Sequence, residues 1–254
     1  MTSVERVATH PRTVNIFGYE VFNQPLSTIS LVGDRCRTLN TIGPDTYGIS
    51  VSDPVAAAAF KASDYLVLDG VYFALGSILT RGETITPNQG PDVFDHFMRR
   101  LNDSGGRAFF LGAAPATIEK IKARTAELYP NIVCDGLSPP FKPEFTEEDH
   151  DAMIAAVNAF RPDIVFIGMS APKQEKWAHR NAPRLNAKLT VAIGAVFDWY
   201  SGVVPPLAPW WFRYRLAWLG RIVQRPRNIV RIKLKAIFLW HLLQAVLRLR
   251  PSRA

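Results

Sequence analysis

Short β-rich runs alternate with helical patterns along most of this 254-residue chain, and that alternation restricts its fold more than any other feature. The β-rich runs are 46–51, 65–68, 107–111, 132–134, 163–167 and 189–193; between them 54–61, 91–101, 115–128, 147–160 and 172–182 carry apolar residues at helical spacing. Strands that alternate with helices are joined by crossovers, so the chain is expected to be α/β, with a mainly parallel Rossmann-like sheet flanked by helices. The runs Val165-Phe166-Ile167 and Val191-Ala192-Ile193 are apolar on both faces, as buried central strands require. Helix starts are marked by proline at Asp53-Pro54, Gly90-Pro91, Ala114-Pro115 and Ala171-Pro172. Where such a start follows a strand directly, it falls at the carboxyl edge of the sheet, where open α/β sheets bind ligands.

Charge divides the chain in two. No acidic residue follows Asp198, yet 11 of the 30 lysines and arginines do, which leaves 19 basic against 22 acidic side chains in 1–198. The formal +8 therefore belongs to the tail, beyond the proline-rich piece 203–209. Three units are expected: a flexible leader 1–12, an α/β core 13–205, and a basic helical appendage 206–254. The appendage reads as two helices broken near Pro226. In the second, Arg231, Lys233 and Lys235 at one end and Arg248 and Arg250 at the other flank an apolar middle, 236–247. Such a helix suits an anionic membrane surface, and the apolar run is shorter than the roughly 20 residues that cross a bilayer. The bland alternative is a helix packed on the core or on another protomer. No nucleic-acid motif accompanies the charge, so nucleic acid is not an expected partner. Hydrophobic residues make up 48% of the chain, enough for a core without staples, and Cys36 and Cys134 have neither metal nor redox spacing.

Several positions could carry chemistry. Asp69 follows the strand Tyr65-Leu66-Val67-Leu68 and precedes Gly70, so its carboxylate could act as a general base at the sheet edge or simply cap a turn. Ser170-Ala171-Pro172-Lys173-Gln174 follows another strand; Ser170 is available as an N-cap, and the first-turn N–H groups with Lys173 suit a phosphate, although Lys173 could equally be a solvated charge. A similar turn at Gly112 could cradle part of a nucleotide, without a Walker loop or a dinucleotide glycine fingerprint. Asp198, in Gly194-Ala195-Val196-Phe197-Asp198, could hold a sugar or ribose hydroxyl or serve as a cap. No His/Cys set has metal-ligand spacing, and 147–151 reads as an acidic first helical turn. If a diphosphate leaves, arginines must then stabilise it, and Arg221, Arg227 and Arg231 are the supply.

Together these segments resemble the WecG/TagA/CpsF family of glycosyltransferases over roughly 38–232. The most specific matches are Pro172-Lys173-Gln174-Glu175-Lys176-Trp177 and Gly194-Ala195-Val196-Phe197-Asp198, joined by Thr38-Leu39-Asn40, Leu68-Asp69-Gly70, Gly90-Pro91-Asp92 and Ala217-Trp218-Leu219-Gly220-Arg221. The resemblance implies an inverting, metal-independent enzyme without a cofactor. It would move a sugar from a UDP donor to a polyprenyl-diphosphate-linked sugar, peripherally bound at the cytoplasmic face of the cell membrane, in surface polysaccharide or exopolysaccharide assembly. By position it implies Asp69 as base, Gln174 as an active-site glutamine, Thr38 and Asn40 as the Thr-x-Asn pair, and Arg221, Arg227 and Arg231 as the arginines that close on the diphosphate. It also makes a homo-oligomer an expectation. Ala217 stands where the family carries a glutamate, and the donor stays open among N-acetylmannosamine, its uronic acid, glucose and glucuronic acid. The reading from a different class is a non-catalytic nucleotide-sugar-binding or membrane adaptor module.

Overall fold

A computed structural model describes residues 12–249 except 86, 206, 215 and 225, and gives only the backbone of 71, 209, 212, 217, 218, 227, 228 and 249. The expected leader, apart from 12, lies outside the described residues, as do 250–254. The chain opens with an antiparallel hairpin, β1 (Thr13–Ile16) and β2 (Tyr19–Phe22), which the alternating pattern had not announced. There follow β3 (Arg37–Ile42), α1 (Pro44–Ser52), α2 (Pro54–Lys61), β4 (Tyr65–Leu68), α3 (Val71–Arg81), α4 (Gly90–Ser104), β5 (Arg107–Gly112), α5 (Pro115–Leu128) and β6 (Val133–Leu137). The core continues through α6 (Glu147–Phe160), β7 (Ile164–Gly168), α7 (Lys173–Asn181), β8 (Leu189–Ala192) and α8 (Val196–Tyr200). The tail supplies α9 (Pro209–Arg213), α10 (Ala217–Gln224), a 3-10 segment Pro226–Arg231 and α11 (Ile232–Leu249).

Six strands form one parallel sheet in the order β4-β3-β8-β7-β5-β6, which is the expected α/β class. Period-two alternation sends Phe110 and Phe166 into one core, with Phe94, Phe97 and Ile118, and sends Phe109, Val165 and Ile167 into another, with Met153 and Trp177. α5 therefore covers one face after β5, and α7 covers the other after β7. Because β5 and β7 are neighbours, their carboxyl ends form a topological switch point, where the departing chains leave a crevice.

The run 46–51 is helical, not extended. Pro44 presets the first turn, Thr46 at the third helical position accepts a hydrogen bond from the Gly43 N–H (2.8 Å), and the strand at this point is β3 instead. Ser170 does not cap α7: the N-cap position is Pro172, and no side chain caps it. The acidic turn 147–149 does open α6, with Thr146 as its N-cap.

A third core joins the hairpin, α1 and α3 to the tail. Phe238 of α11 is fully buried, stacked on Phe73 at 5.1 Å, and Tyr47 Oη and His241 Nδ1 share a 2.7 Å hydrogen bond. Gly48 permits the crossing: a Cβ there would lie 2.5 Å from the Leu234 carbonyl oxygen and 2.7 Å from its Cα. One face of α11 is thus packed on the core. The opposite face, with Leu239, Trp240, Leu243 and Leu247, is 49–58% exposed.

Candidate active site

Asp69 leaves β4 at the carboxyl edge. Its N–H donates to the Ile42 carbonyl (2.8 Å), extending the β3–β4 ladder by one bond, and Gly70 then turns the chain into α3 with φ +83°. The turn rests against Gly43, where a Cβ would meet the Asp69 carbonyl oxygen at 2.7 Å. Asp69 is half-buried at a cleft of about 590 Å3 that runs along the strand ends, a size typical of small-molecule sites. Burial pushes its carboxyl up from the ordinary value; Arg221 and Lys235 pull it back, while Asp45 and Asp92 add to the rise.

Gln174 is buried and engaged at both ends of its amide. Nε2 donates to Glu175 Oε1 (2.9 Å) and Oε1 accepts from the Gly194 N–H (3.0 Å), so the start of α7 is tied to the loop after β8. Glu175 is fully buried, its Oε2 has no hydrogen-bond partner, and desolvation pushes its carboxyl up to about 7, with Gln174 and more weakly Arg231 acting against the rise. Both residues line the cleft.

Among the described residues, every lysine and arginine lining the cleft comes from the tail: Arg221, Arg231 and Lys235. Arg221 stacks over Trp199 at 5.0 Å, and Lys235 Nζ pairs with Asp45 Oδ1 at 2.8 Å. The tail thereby closes one side of the cleft. Arg221 also borders a smaller, aromatic cavity of about 390 Å3 that includes Phe94, Tyr129, Trp199 and Tyr200. No group of three or more His, Cys, Asp or Glu among the described residues is arranged to hold a metal.

The expected site residues divide accordingly. Asp69, Gln174, Asp198, Arg221 and Arg231 line the cleft together. The Arg227 side chain lies outside the described residues. Thr38 and Asn40 sit short of the strand end and face elsewhere: the Thr38 N–H donates to Asp64 Oδ2 (2.9 Å), the Asp64 N–H to Thr38 Oγ1 (3.2 Å), and Asn40 Nδ2 to Ser63 Oγ (2.8 Å). They hold the α2–β4 turn. Lys173 turns away as well, donating to the Lys142 carbonyl and lying 3.6 Å from the centre of the Phe145 ring. Gly112 does not line the cleft but lets two strand ends meet, since a Cβ there would lie 2.5 Å from the Gly168 carbonyl oxygen. Thr41, Asp45, Glu175 and Lys235 line the cleft and were not singled out as site residues. The carboxyl end of β3 and the cluster of cations at the start of α11 were the signals for three of them.

An open parallel sheet whose carboxyl edge gathers carboxylates and three cations around one cleft has the form of an α/β enzyme, and sequence relationships supply the reaction class. The profile described as Glycosyl transferase WecG/TagA/CpsF family matches residues 14–252, so the chain belongs to that family and is a glycosyltransferase. It is 25% identical over 188 residues, 74% of this chain and 72% of the relative, to the N-acetylglucosaminyldiphosphoundecaprenol N-acetyl-beta-D-mannosaminyltransferase of Bacillus subtilis (strain 168). Enzymes of the same description from Bacillus spizizenii (strain ATCC 23059 / NRRL B-14472 / W23) and Staphylococcus aureus (strain MW2) are 24% identical over 205 residues and 21% over 214. These alignments cover 81% and 84% of this chain and 78% and 82% of the relatives.

Proposed function

We propose that the chain transfers a sugar of the N-acetylmannosamine class from a UDP donor to polyprenyl-diphosphate-linked N-acetylglucosamine, with inversion and without a metal, in surface polysaccharide assembly. The observation that carries this reading is the place of Asp69 at the end of β4, in the cleft, with Arg221 and Lys235 acting on its charge; of the other carboxylates that line the cleft, Asp45 is paired with Lys235 and Glu175 is fully buried. Inversion needs a single in-line displacement and hence one base. Asp69 takes the proton of the acceptor hydroxyl, the freed oxygen bonds to the anomeric carbon, and the bond from that carbon to the UDP oxygen breaks with its electron pair leaving on the diphosphate. Arg221, Arg231 and Lys235 offset that growing negative charge, the role a divalent cation would otherwise serve. A carboxyl raised by burial suits a base working near neutrality.

The exposed apolar face of α11, flanked by Lys233 and Arg248, supports a place on the anionic cytoplasmic face of the membrane, where a polyprenyl acceptor resides. No described helix is long and apolar enough to cross a membrane. The test is UDP release by purified protein in EDTA, with and without the lipid-linked acceptor. Release that depends on acceptor and donor, lost in Asp69→Asn while donor binding persists, is the expected result. Folded protein that binds UDP-sugars yet releases no UDP with any acceptor would identify a non-catalytic module instead.

A further inference from the structure

α3 presents an exposed apolar face, one end of which, at Tyr72, reaches the cleft. Phe73 and Ser77 point inward and are fully buried, whereas Tyr72, Leu75, Ile78 and Leu79 are 41–47% exposed along one side of the helix. The neighbour of α3 is α11, and they meet at Gly76, where a Cβ would lie 3.7 Å from Phe238 and 3.8 Å from Leu242. Two adjacent helices therefore expose large apolar side chains, and neither contains an acidic residue. Their cations lie at the margins: Arg81, close enough to Glu20 to act on it, ends α3, while Lys233 and Arg248 are exposed near the two ends of α11. Monomeric proteins rarely leave large contiguous apolar patches bare.

We propose that α3 is a second membrane-contacting element, its Tyr72, Leu75, Ile78 and Leu79 face entering the headgroup boundary of an anionic bilayer beside α11. The inference rests on the membrane reading of α11 given above. Charge argues for lipid as the occupant, since acid-free helices with cations at their margins match an anionic headgroup layer around an apolar interior. Position argues the same way. α3 begins two residues after Asp69, and Tyr72 belongs both to its exposed face and to the cleft lining. A bilayer on this face would bring a lipid-linked diphosphate to the mouth that holds the carboxylate.

The test is flotation of the full chain with vesicles of phosphatidylglycerol and phosphatidylethanolamine. The variants are Leu75→Ser with Leu79→Ser on α3, and Trp240→Ser with Leu243→Ser on α11; UDP-sugar binding and melting curves verify their folding. The expected result is at least about tenfold weaker vesicle binding by each pair, since each removes two large apolar side chains from the contact. Should the α3 pair fail to fold, Leu79→Cys bearing an NBD label in a Cys134→Ser background gives the same reading, by a blue shift on adding vesicles. Release of the α11 pair alone, or an unshifted label on bound protein, overturns the α3 inference and leaves the α11 reading standing. Absence of vesicle binding by the unaltered chain overturns both. A dimer that the α3 substitutions dissociate without changing vesicle binding assigns the face to a second copy and likewise overturns the proposal.

Discussion

Gln174 ties together two loops twenty residues apart in sequence, and burial pushes the carboxyl of Glu175 beside it up to about 7. Below pH 4.5 both folded and unfolded chains carry the Glu175 proton. Between pH 4.5 and about 7 the unfolded chain loses it while the folded chain keeps it, so stability falls as pH rises, and the loss is complete above about 7. The size of the loss is about 3 kcal/mol. Glu175→Gln keeps an acceptor for Gln174 and removes the titration. We predict that its urea midpoint gains on the unaltered chain between pH 4.5 and about pH 8, and parallel profiles would contradict this. Gly168 gives a second prediction: a Cβ there would run into the Phe197 ring, so Gly168→Ala should displace the loop carrying Asp198 and weaken donor binding, read as a higher Kd for the UDP-sugar. At this scale the sequence was readable where a side chain follows a strand directly, as with Asp69. The resemblance pointed to Thr38 and Asn40 as well, but they stand three and one residues short of Thr41, which reaches the cleft, and their side chains bond to Asp64 and Ser63. Lys173 misled for another reason: charge cannot announce the aromatic ring and carbonyl that capture it.

At the scale of elements, the side of the cleft that the tail closes depends on the packing of α11 on α1. Gly48→Ala would place a methyl group against Leu234 backbone atoms, and backbone cannot rotate out of the way. We predict a loss of about 1–3 kcal/mol, read as a lower Tm, with faster proteolysis at the start of α11 than in the sheet. Equal protection of α11 in both proteins would refute it. Helices opened by proline were legible, since Pro54 and Pro115 fix the first turn and the apolar period continues from them. α1 was not, because its residues Thr46, Tyr47, Ile49 and Val51 favour strands and only the Gly43–Thr46 cap and the packing of α11 make them helical. The hairpin β1–β2 is too short for alternation to register, and it is held by a core whose other members lie far along the chain.

Across the whole molecule, negative and positive charge come to the cleft from different halves of the sequence. Asp45, Asp69, Glu175 and Asp198 arrive with the sheet, and Arg221, Arg231 and Lys235 with the tail. We predict that Arg221→Gln with Arg231→Gln leaves the melting curve near that of the unaltered chain and lowers UDP release at least about a hundredfold. Unchanged release would remove these arginines from leaving-group stabilisation. Deletion from Pro206 onward is the blunter test: it should free the protein from vesicles, but it also uncovers Phe73 and Tyr47, which Phe238 shields.

The separation of those charges has a consequence during synthesis. All eight strands and Asp69 leave the ribosome before Arg221 does, so a nascent chain can assemble its sheet and present its carboxylate while the cleft lacks every described cation that lines it. The order of translation thus withholds the means of gripping a diphosphate until the scaffold that aims it has already been made.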